Sequence, residues 1–236
     1  ELLQDKLYSL LSVLLLSGIY FYNYTTPEFN VNVSQLPFWA LSVYFFWRGI
    51  NLNKNIDWIL FGIFSALGFL SKYLFIYILL ALFIFFISNL KKYKKSLNKY
   101  IFSILISLAF LTPHFFWLFE NDFITIFYGL ERSGVSEFNY IDHFKNPVIF
   151  LIKQFIILIP FFLMFYVIIK KFKYPINKKN KEIIFLLSIN LIPIALILAT
   201  SIITGAEIKT MWMTPFYLFF GTLFISIFKN FIDIKK

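Results

Sequence analysis

The sequence predicts an all-α fold, a polytopic transmembrane bundle of about eight helical spans. Of its 236 residues, 60% are hydrophobic and 22% are aromatic. A mean hydropathy of +0.77 indicates more apolar surface than one soluble core could bury. The 22 Lys and Arg residues outnumber the 12 Asp and Glu residues, and they cluster in short connections, which is typical of membrane topology and not of a nucleic-acid-binding face. No repeat or low-complexity linker divides residues 1–236, so we expect a single transmembrane domain.

The longest apolar run, from Trp58 to Ser88, contains one charged residue, Lys72. As a single helix its 31 residues would rise about 46 Å, whereas the hydrocarbon core of a bilayer is about 30 Å thick. Two shorter spans that meet at residues 71–73 would bring the ammonium to a membrane surface, where it escapes a cost of about 2.5 to 3.5 kcal/mol at bilayer depth. The run is therefore predicted to hold two spans, and the others lie near residues 7–22, 36–50, 100–118, 147–169, 183–203 and 212–228.

Loop charge predicts which ends of the spans face the cytoplasm, because Lys and Arg are retained on that side. Three lysine-rich stretches are placed inside: residues 91–99, 170–181 and 229–236. Two spans in the long run also put Lys6, Arg48 and Lys54 inside, whereas one span would reverse these assignments. The heavy use of Ile, Phe, Lys and Asn suits an AT-rich bacterial genome. We therefore expect a multi-pass protein of the bacterial inner membrane. The predicted outer loops are residues 23–35, 71–73, 119–146 and 204–211.

The outer loop 119–146 is the longest and carries the densest charge. Within it Glu131 and Arg132 are neighbours; an arginine can fork onto a phosphate or a sugar-acid group, while a carboxylate can handle a hydroxyl or a metal ion. The aromatic residues of this loop favour an interfacial helix that lies on the membrane. A solvated loop without a chemical role is the simpler alternative for any one of these charges.

Other polar residues give weaker signals. His114 follows a proline near the outer end of its span, and only His143 could join it, so a histidine metal site has little support, whereas a carboxylate-rich divalent-cation site stays open. Glu207 and Lys209 lie beside Trp212 in the last outer loop, which fits either a ligand site or an ordinary interfacial belt. The chain has no cysteine and no glycine-rich nucleotide loop, so neither a thiolate site nor a cytosolic nucleotide donor is expected.

Three strings occur in an order that resembles a known enzyme family. They are GFLSKY at residues 68–73, TPHFFWLFENDF followed by YGLERSG within residues 112–134, and KTMWMTPFY at residues 209–217. From about Asp57 to Phe220, the chain resembles bacterial glycosyltransferase family 39 and aminoarabinose-transferase-like membrane enzymes, which belong to the GT-C class and are related to protein O-mannosyltransferases. The resemblance implies a GT-C-like, partial transmembrane fold.

The same resemblance implies an inverting transfer of a hexosyl or pentosyl group from a polyprenyl-phosphate donor to a lipid, glycan or protein acceptor on the outer face of the membrane. The family's catalytic aspartate would lie upstream of Glu1, so this chain alone is expected to be inactive. No cofactor is implied, although a divalent cation stays open. The matched strings suggest two sets of site residues: Lys72, Arg132 and Lys209 for the donor phosphate, and Tyr73, Asp122, Glu131 and Trp212 for substrate.

A fragment of a transporter or lipid flippase is the main alternative, since such proteins also need charges within a helical bundle. Transporters place ionisable sites near the bilayer midplane, and here Lys153 is the charge nearest to such a position. Lys72 could also simply snorkel to the membrane surface. The concentration of charge in loops favours chemistry at the membrane surface, and so a transferase.

Overall fold

The computed structural model describes residues 2–134, 139–169 and 180–232. Among these residues no β-strand forms, and one isolated antiparallel bridge joins Ile169 to Ile232. The all-α prediction is therefore confirmed for the described part of the chain. The α-helices are α1 Lys6–Leu16, α2 Val31–Leu52, α3 Asn55–Ser71, α4 Ile76–Ser88, α5 Leu90–Tyr93, α6 Leu97–Glu120, α7 Ile124–Arg132, α8 Asp142–Ile168, α9 Lys181–Thr204 and α10 Phe220–Phe228.

Each predicted span coincides with helical structure, but helix length and hydropathy support fewer than eight spans. Within the described ranges, three segments are long and apolar enough to cross a membrane: Leu90–Glu120, Asp142–Ile168 and Lys181–Thr204. A fourth qualifies if the segments Thr210–Tyr217 and Phe220–Phe231, bent by 45° relative to each other, are taken as one broken span. The bundle is thus built from apolar helices, and the count of eight spans stays a prediction.

The apolar run 58–88 forms two helices, as its length predicted. After α3 ends, Lys72 adopts an extended backbone with φ −167° and ψ 136°, and the chain reverses into α4. The ring of Trp58, near the start of α3, lies 6.3 Å from the ring of Phe86, near the end of α4. In one straight helix these two residues would be about 42 Å apart. The single-span alternative is therefore excluded.

Two helix boundaries differ from the prediction. The first predicted span, residues 7–22, contains the 11-residue α1, because Ser17 and Gly18 bond to carbonyls three residues earlier and tighten the chain there. Gly18 packs so closely on α8 that an added Cβ would lie 2.8 Å from the backbone of Phe161. The last predicted span, residues 212–228, consists of an 8-residue 3₁₀ segment, Thr210–Tyr217, followed by the 9-residue α10. In both places the α-helix is shorter than the apolar segment from which a span was predicted.

All four predicted outer loops contribute residues to one end of the bundle. The ammonium of Lys72 donates a hydrogen bond to the side chain of Asn32 in the first turn of α2. The backbone amide of Glu207 donates to the carbonyl of Ser133 at 2.8 Å, so the loop before the last helix contacts the end of α7. We call the end that carries these four residues the outer end.

The lysine-rich connections meet at the opposite end of the bundle. The ammonium of Lys99 donates to the carbonyl of Asn53 at 2.5 Å. Lys181, at the start of α9, lies 5.0 Å from the centroid of the Trp47 ring and 5.4 Å from that of Tyr93. This end is called the lysine-rich end. Several of the lysines predicted inside lie outside the described residues, namely Lys170, Lys171, Lys173, Lys178, Lys179, Lys235 and Lys236.

Cysteine labelling tests whether the two ends lie on opposite sides of the membrane. Gly129 on α7 is exposed, and an added Cβ would meet nothing within 4 Å; Lys95 is exposed at the lysine-rich end. In this cysteine-free chain, Gly129→Cys is expected to react with a membrane-impermeant thiol reagent from outside, and Lys95→Cys only after permeabilisation. Reaction of both variants from the same side would contradict the topology.

Candidate functional site

Lys72 stands at the break between α3 and α4 because the local sequence ends a helix there. Its amide donates to the carbonyl of Gly68 at 3.3 Å, and its own carbonyl accepts from the amide of Phe75 at 3.0 Å. The ring of Phe75 lies directly on Gly68, where an added Cβ would be 2.3 Å from a ring carbon. A larger residue at position 68 would block this approach, so the glycine and the phenylalanine together define where the chain reverses.

One amide and one aromatic ring hold the ammonium of Lys72. Its Nζ donates to Oδ1 of Asn32 at 2.5 Å and lies 5.0 Å from the centroid of a ring of Trp212, a cation–π distance. Asn32 is buried, with 4% of its surface exposed. Its place is set by Asn30, whose side chain caps α2 by accepting from the amides of Asn32 and Val33. Two residues that the sequence assigned to the site, Lys72 and Trp212, are thus in contact.

The hydroxyl of Tyr73 joins two further helices to the same place. It lies 2.8 Å from Nε2 of His114 on α6 and 2.7 Å from Oγ1 of Thr125 on α7. Because Tyr73 follows Lys72 in the chain, this hydrogen-bonded group ties α6 and α7 to the Lys72 position. A phenol hydroxyl both donates and accepts, so Tyr73 has the chemistry to contact a sugar hydroxyl. Its assignment to substrate binding stays a prediction.

Helix α7 carries Arg132 as its last residue. No residue of this helix is buried, and the Arg132 guanidinium donates to the hydroxyl of Tyr128 at 3.1 Å. The helix is anchored near its start through Thr125 and just past its end through the carbonyl of Ser133, which accepts from the Glu207 amide. The sequence therefore predicted a helix in this loop correctly, and its attachment keeps Arg132 at the outer end.

The other predicted site residues have different surroundings. Lys209 forms an ion pair with Glu207, so its positive charge is balanced by a neighbour. Asp122 and Glu131 are exposed, and within the described part of the chain no contact joins either of them to Lys72. Their assignment to substrate stays a prediction. In the described ranges no three His, Asp or Glu side chains converge as a metal-binding group, and Glu137 of the same loop lies outside those ranges.

The electrostatics of Lys72 favour an anionic ligand. Burial, and then the positive charge of Arg132, lowers the pKa of Lys72 to about 7. The ion pairs of the described residues are Arg48 with Asp57 and Lys209 with Glu207, so no carboxylate there pairs with Lys72. An anion beside Lys72 would offset both the cost of burying its charge and the repulsion from Arg132. This arrangement can therefore hold a phosphate group.

Sequence reasoning missed Asn32 and Thr125. Asn32 lies in a polar stretch before a span and Thr125 lies among aromatic residues of an outer loop, and in neither place does the residue type alone separate a site residue from a solvated side chain. The missing information is tertiary, because Asn32 reaches Lys72 across 40 positions of sequence. His114 did carry a signal, a preceding proline near an outer helix end, but its partner Tyr73 lies 41 positions away.

Residues 1–117 match the family model of dolichyl-phosphate-mannose-protein mannosyltransferase. The match covers just under half of the 236 residues; it includes Asn32, Lys72 and His114, whereas Arg132 and Trp212 lie beyond it. It supports a membrane glycosyltransferase of the GT-C kind, and with the apolar helices it indicates an integral membrane protein. Such a family implies a lipid-linked sugar donor and a glycan or protein acceptor. No curated protein and no solved structure matches the chain.

The lowered pKa of Lys72 predicts a pH-dependent stability. Between about pH 7 and 10.5 the unfolded chain holds this proton while the folded chain has released it, so the folded state gains stability as pH rises through that window. Replacing the buried ammonium by Lys72→Met is therefore expected to raise the thermal midpoint in detergent most at pH 6, and progressively less toward pH 10. Lys145→Met, at an exposed position, is the control. A stabilisation by Lys72→Met that does not change with pH would contradict the assignment.

Proposed function

We propose that the chain belongs to a polyprenyl-phosphate-dependent glycosyltransferase, in the manner of glycosyltransferase family 39 and the aminoarabinose transferases, and that the outer end binds the donor phosphate. The observation that carries the proposal is the position of Lys72. Its ammonium has neutral partners, Asn32 and Trp212, and the charge of Arg132 acts on it. In the proposed orientation this group faces the outer surface of the membrane, where a lipid-linked donor presents its phosphate.

The charge change during the reaction explains why a lysine is useful here. When the bond between the sugar and the donor phosphate breaks, negative charge builds on the phosphate oxygens. A fixed ammonium stabilises that charge more in the transition state than in the ground state, and this difference is what accelerates a reaction. Asn32 helps because a lysine side chain that is already oriented loses less conformational entropy when the phosphate arrives.

The neighbouring side chains suggest where the sugar and the acceptor lie. Trp212 contacts Lys72, and its aromatic face offers stacking to a sugar ring. Tyr73, the next residue in the chain, offers a hydroxyl for hydrogen bonding. The acceptor would approach from the side of α7 and displace the phosphate with inversion, and its hydroxyl proton would pass to a carboxylate base. Asp122 and Glu131 are then available to orient the acceptor.

The transporter alternative gains no support from the described residues. Its best sequence candidate, Lys153, lies exposed on α8, whereas a transport site requires an ionisable group that faces the bundle interior or a water-filled cavity. The polar group around Lys72 lies instead at a helix break, at one end of the bundle. Surface chemistry therefore explains the placement of charge better than passage through the bundle.

Substitution of Lys72 tests the proposal directly. In the intact enzyme, Lys72→Met is expected to insert and fold normally, because it removes a charge from a largely buried position. Transfer from a polyprenyl-phosphate sugar at saturating acceptor is expected to fall on the order of 100-fold or more, since the developing phosphate charge loses its ammonium. Lys72→Arg is expected to be intermediate, because arginine keeps the charge with a different reach and geometry. Near-normal turnover by the Met variant would show that Lys72 only snorkels.

Arg132 and Lys145 form a matched pair of exposed cations in the same outer loop. Arg132 acts electrostatically on Lys72, so Arg132→Ala is expected to reduce transfer about tenfold or more, in keeping with the loss of one charge-assisted contact to the donor. Lys145→Ala is expected to leave transfer nearly unchanged. Measurement of initial rates for both variants at several donor concentrations checks this. Equal, small losses in the two variants would indicate that α7 is a solvated segment without a role in donor binding.

A further inference from the structure

We propose that a groove between α3 and α6, at the lysine-rich end of the bundle, binds the headgroup of an anionic phospholipid. This site lies at the opposite end from Lys72 and takes no part in the proposed transfer reaction. The proposal rests on three features of the described residues: a groove, a cation at its rim and the start of α3 beside it.

The groove has a volume of about 240 Å³. Pockets for whole drug-sized ligands measure about 300 to 1,000 Å³, so this one suits a headgroup and the first part of an acyl chain. Its polar rim and apolar wall come from neighbouring turns of the two helices. The lining residues are Asn55, Trp58, Ile59, Asn98, Lys99 and Phe102.

Charge at this groove is positive. Lys99 uses one ammonium hydrogen to bond the carbonyl of Asn53, and an ammonium has two further hydrogens to donate. The segment from residue 89 to residue 102 contains five lysines and no Asp or Glu. The nearest carboxylate in sequence to the start of α3, Asp57, is 1% exposed and is paired with Arg48 at 2.9 Å. An anion at the rim would therefore meet lysine without a competing exposed carboxylate from these segments.

Backbone donors add to the charge. α3 begins at Asn55 and has no side-chain hydrogen bond at its N-cap. The first amides of a helix without such a cap are available to an anion, and the helix dipole favours negative charge there. Phosphate and glycerol oxygens are suitable acceptors for these donors.

The apolar wall favours a lipid over a free phosphate ion. Phe102 is 52% exposed at the groove, and Ile101 and Leu105 on the same helix are 47% and 57% exposed. These side chains would contact acyl chains if α6 crosses the bilayer, which its length and hydropathy allow. The headgroup of an anionic lipid would pair with the cation at the rim while its acyl chains contact the apolar wall. Inorganic phosphate would interact with the rim alone. Basic pockets between helices at a membrane surface are also suited to anionic headgroups on general electrostatic grounds.

Native mass spectrometry of the purified protein in detergent tests the site. The protein is titrated with phosphatidylglycerol, with phosphatidylcholine of the same acyl chains, and with phosphatidylglycerol in the presence of excess inorganic phosphate. We expect one equivalent of phosphatidylglycerol to bind more tightly than phosphatidylcholine, and inorganic phosphate not to displace it. Lys99→Gln is expected to weaken phosphatidylglycerol binding about fivefold.

Two further variants keep the test decisive. Asn98→Asp places a negative charge at the rim without removing a described contact, and it is expected to weaken phosphatidylglycerol binding even if Lys99→Gln disturbs folding, which thermal unfolding would reveal. Lys91→Gln changes an exposed lysine of the same connection that does not line the groove, and it is expected to bind as the parent does. Equal binding of the two lipids, equal loss in Lys99→Gln and Lys91→Gln, or displacement by inorganic phosphate would each overturn the proposal.

Discussion

The constraint on which the rest of the structure depends is the cost of placing one ammonium inside an apolar run. Because Lys72 is not accommodated in the middle of a long helix, α3 ends, the backbone becomes extended, and α4 returns along the bundle. This reversal sets the direction of every later helix. It also brings Asn32, Trp212 and the Tyr73 contacts to one end. If the run were one helix, the loops after it would lie on the opposite side of the membrane. Trp212 would then be at the opposite end of the bundle from Asn32.

The sequence predicted the features that arise from composition and length. The apolar run was too long for one span and the lysines grouped in alternate loops, and these patterns predicted the break between α3 and α4. The family resemblance selected Lys72 and Trp212 as site residues, and the structure places them in contact. Contacts between residues that are far apart in sequence could not be predicted from composition and length. The early end of α1 depends on Gly18 fitting against Phe161, and Asn32 was missed because its burial follows from tertiary contacts.

The cations at the two ends of the bundle have different kinds of partner. At the lysine-rich end, Arg48 is paired with the buried Asp57, and Lys181 lies between two aromatic rings and donates to Asn51. These contacts satisfy the charge and join neighbouring connections, which is what a structural role requires. At the outer end, the ammonium of Lys72 is largely buried against neutral groups. A charge kept in that state costs folding free energy, so a compensating ligand is the more economical explanation for its presence.

The position of α7 links the donor site to the loop that would meet the acceptor. With no buried residue of its own, this helix depends on its attachments at Thr125 and Ser133 for its placement. Both attachments lead to the same group, since Thr125 contacts Tyr73 and Ser133 contacts the loop that carries Trp212. Any shift of α7 therefore changes the distance between Arg132 and Lys72, and with it the electrostatic term that a donor phosphate would experience. If the outer end binds the donor as proposed, a helix held in this way would let occupancy of that site change the position of the loop around α7 without rearrangement of the apolar core.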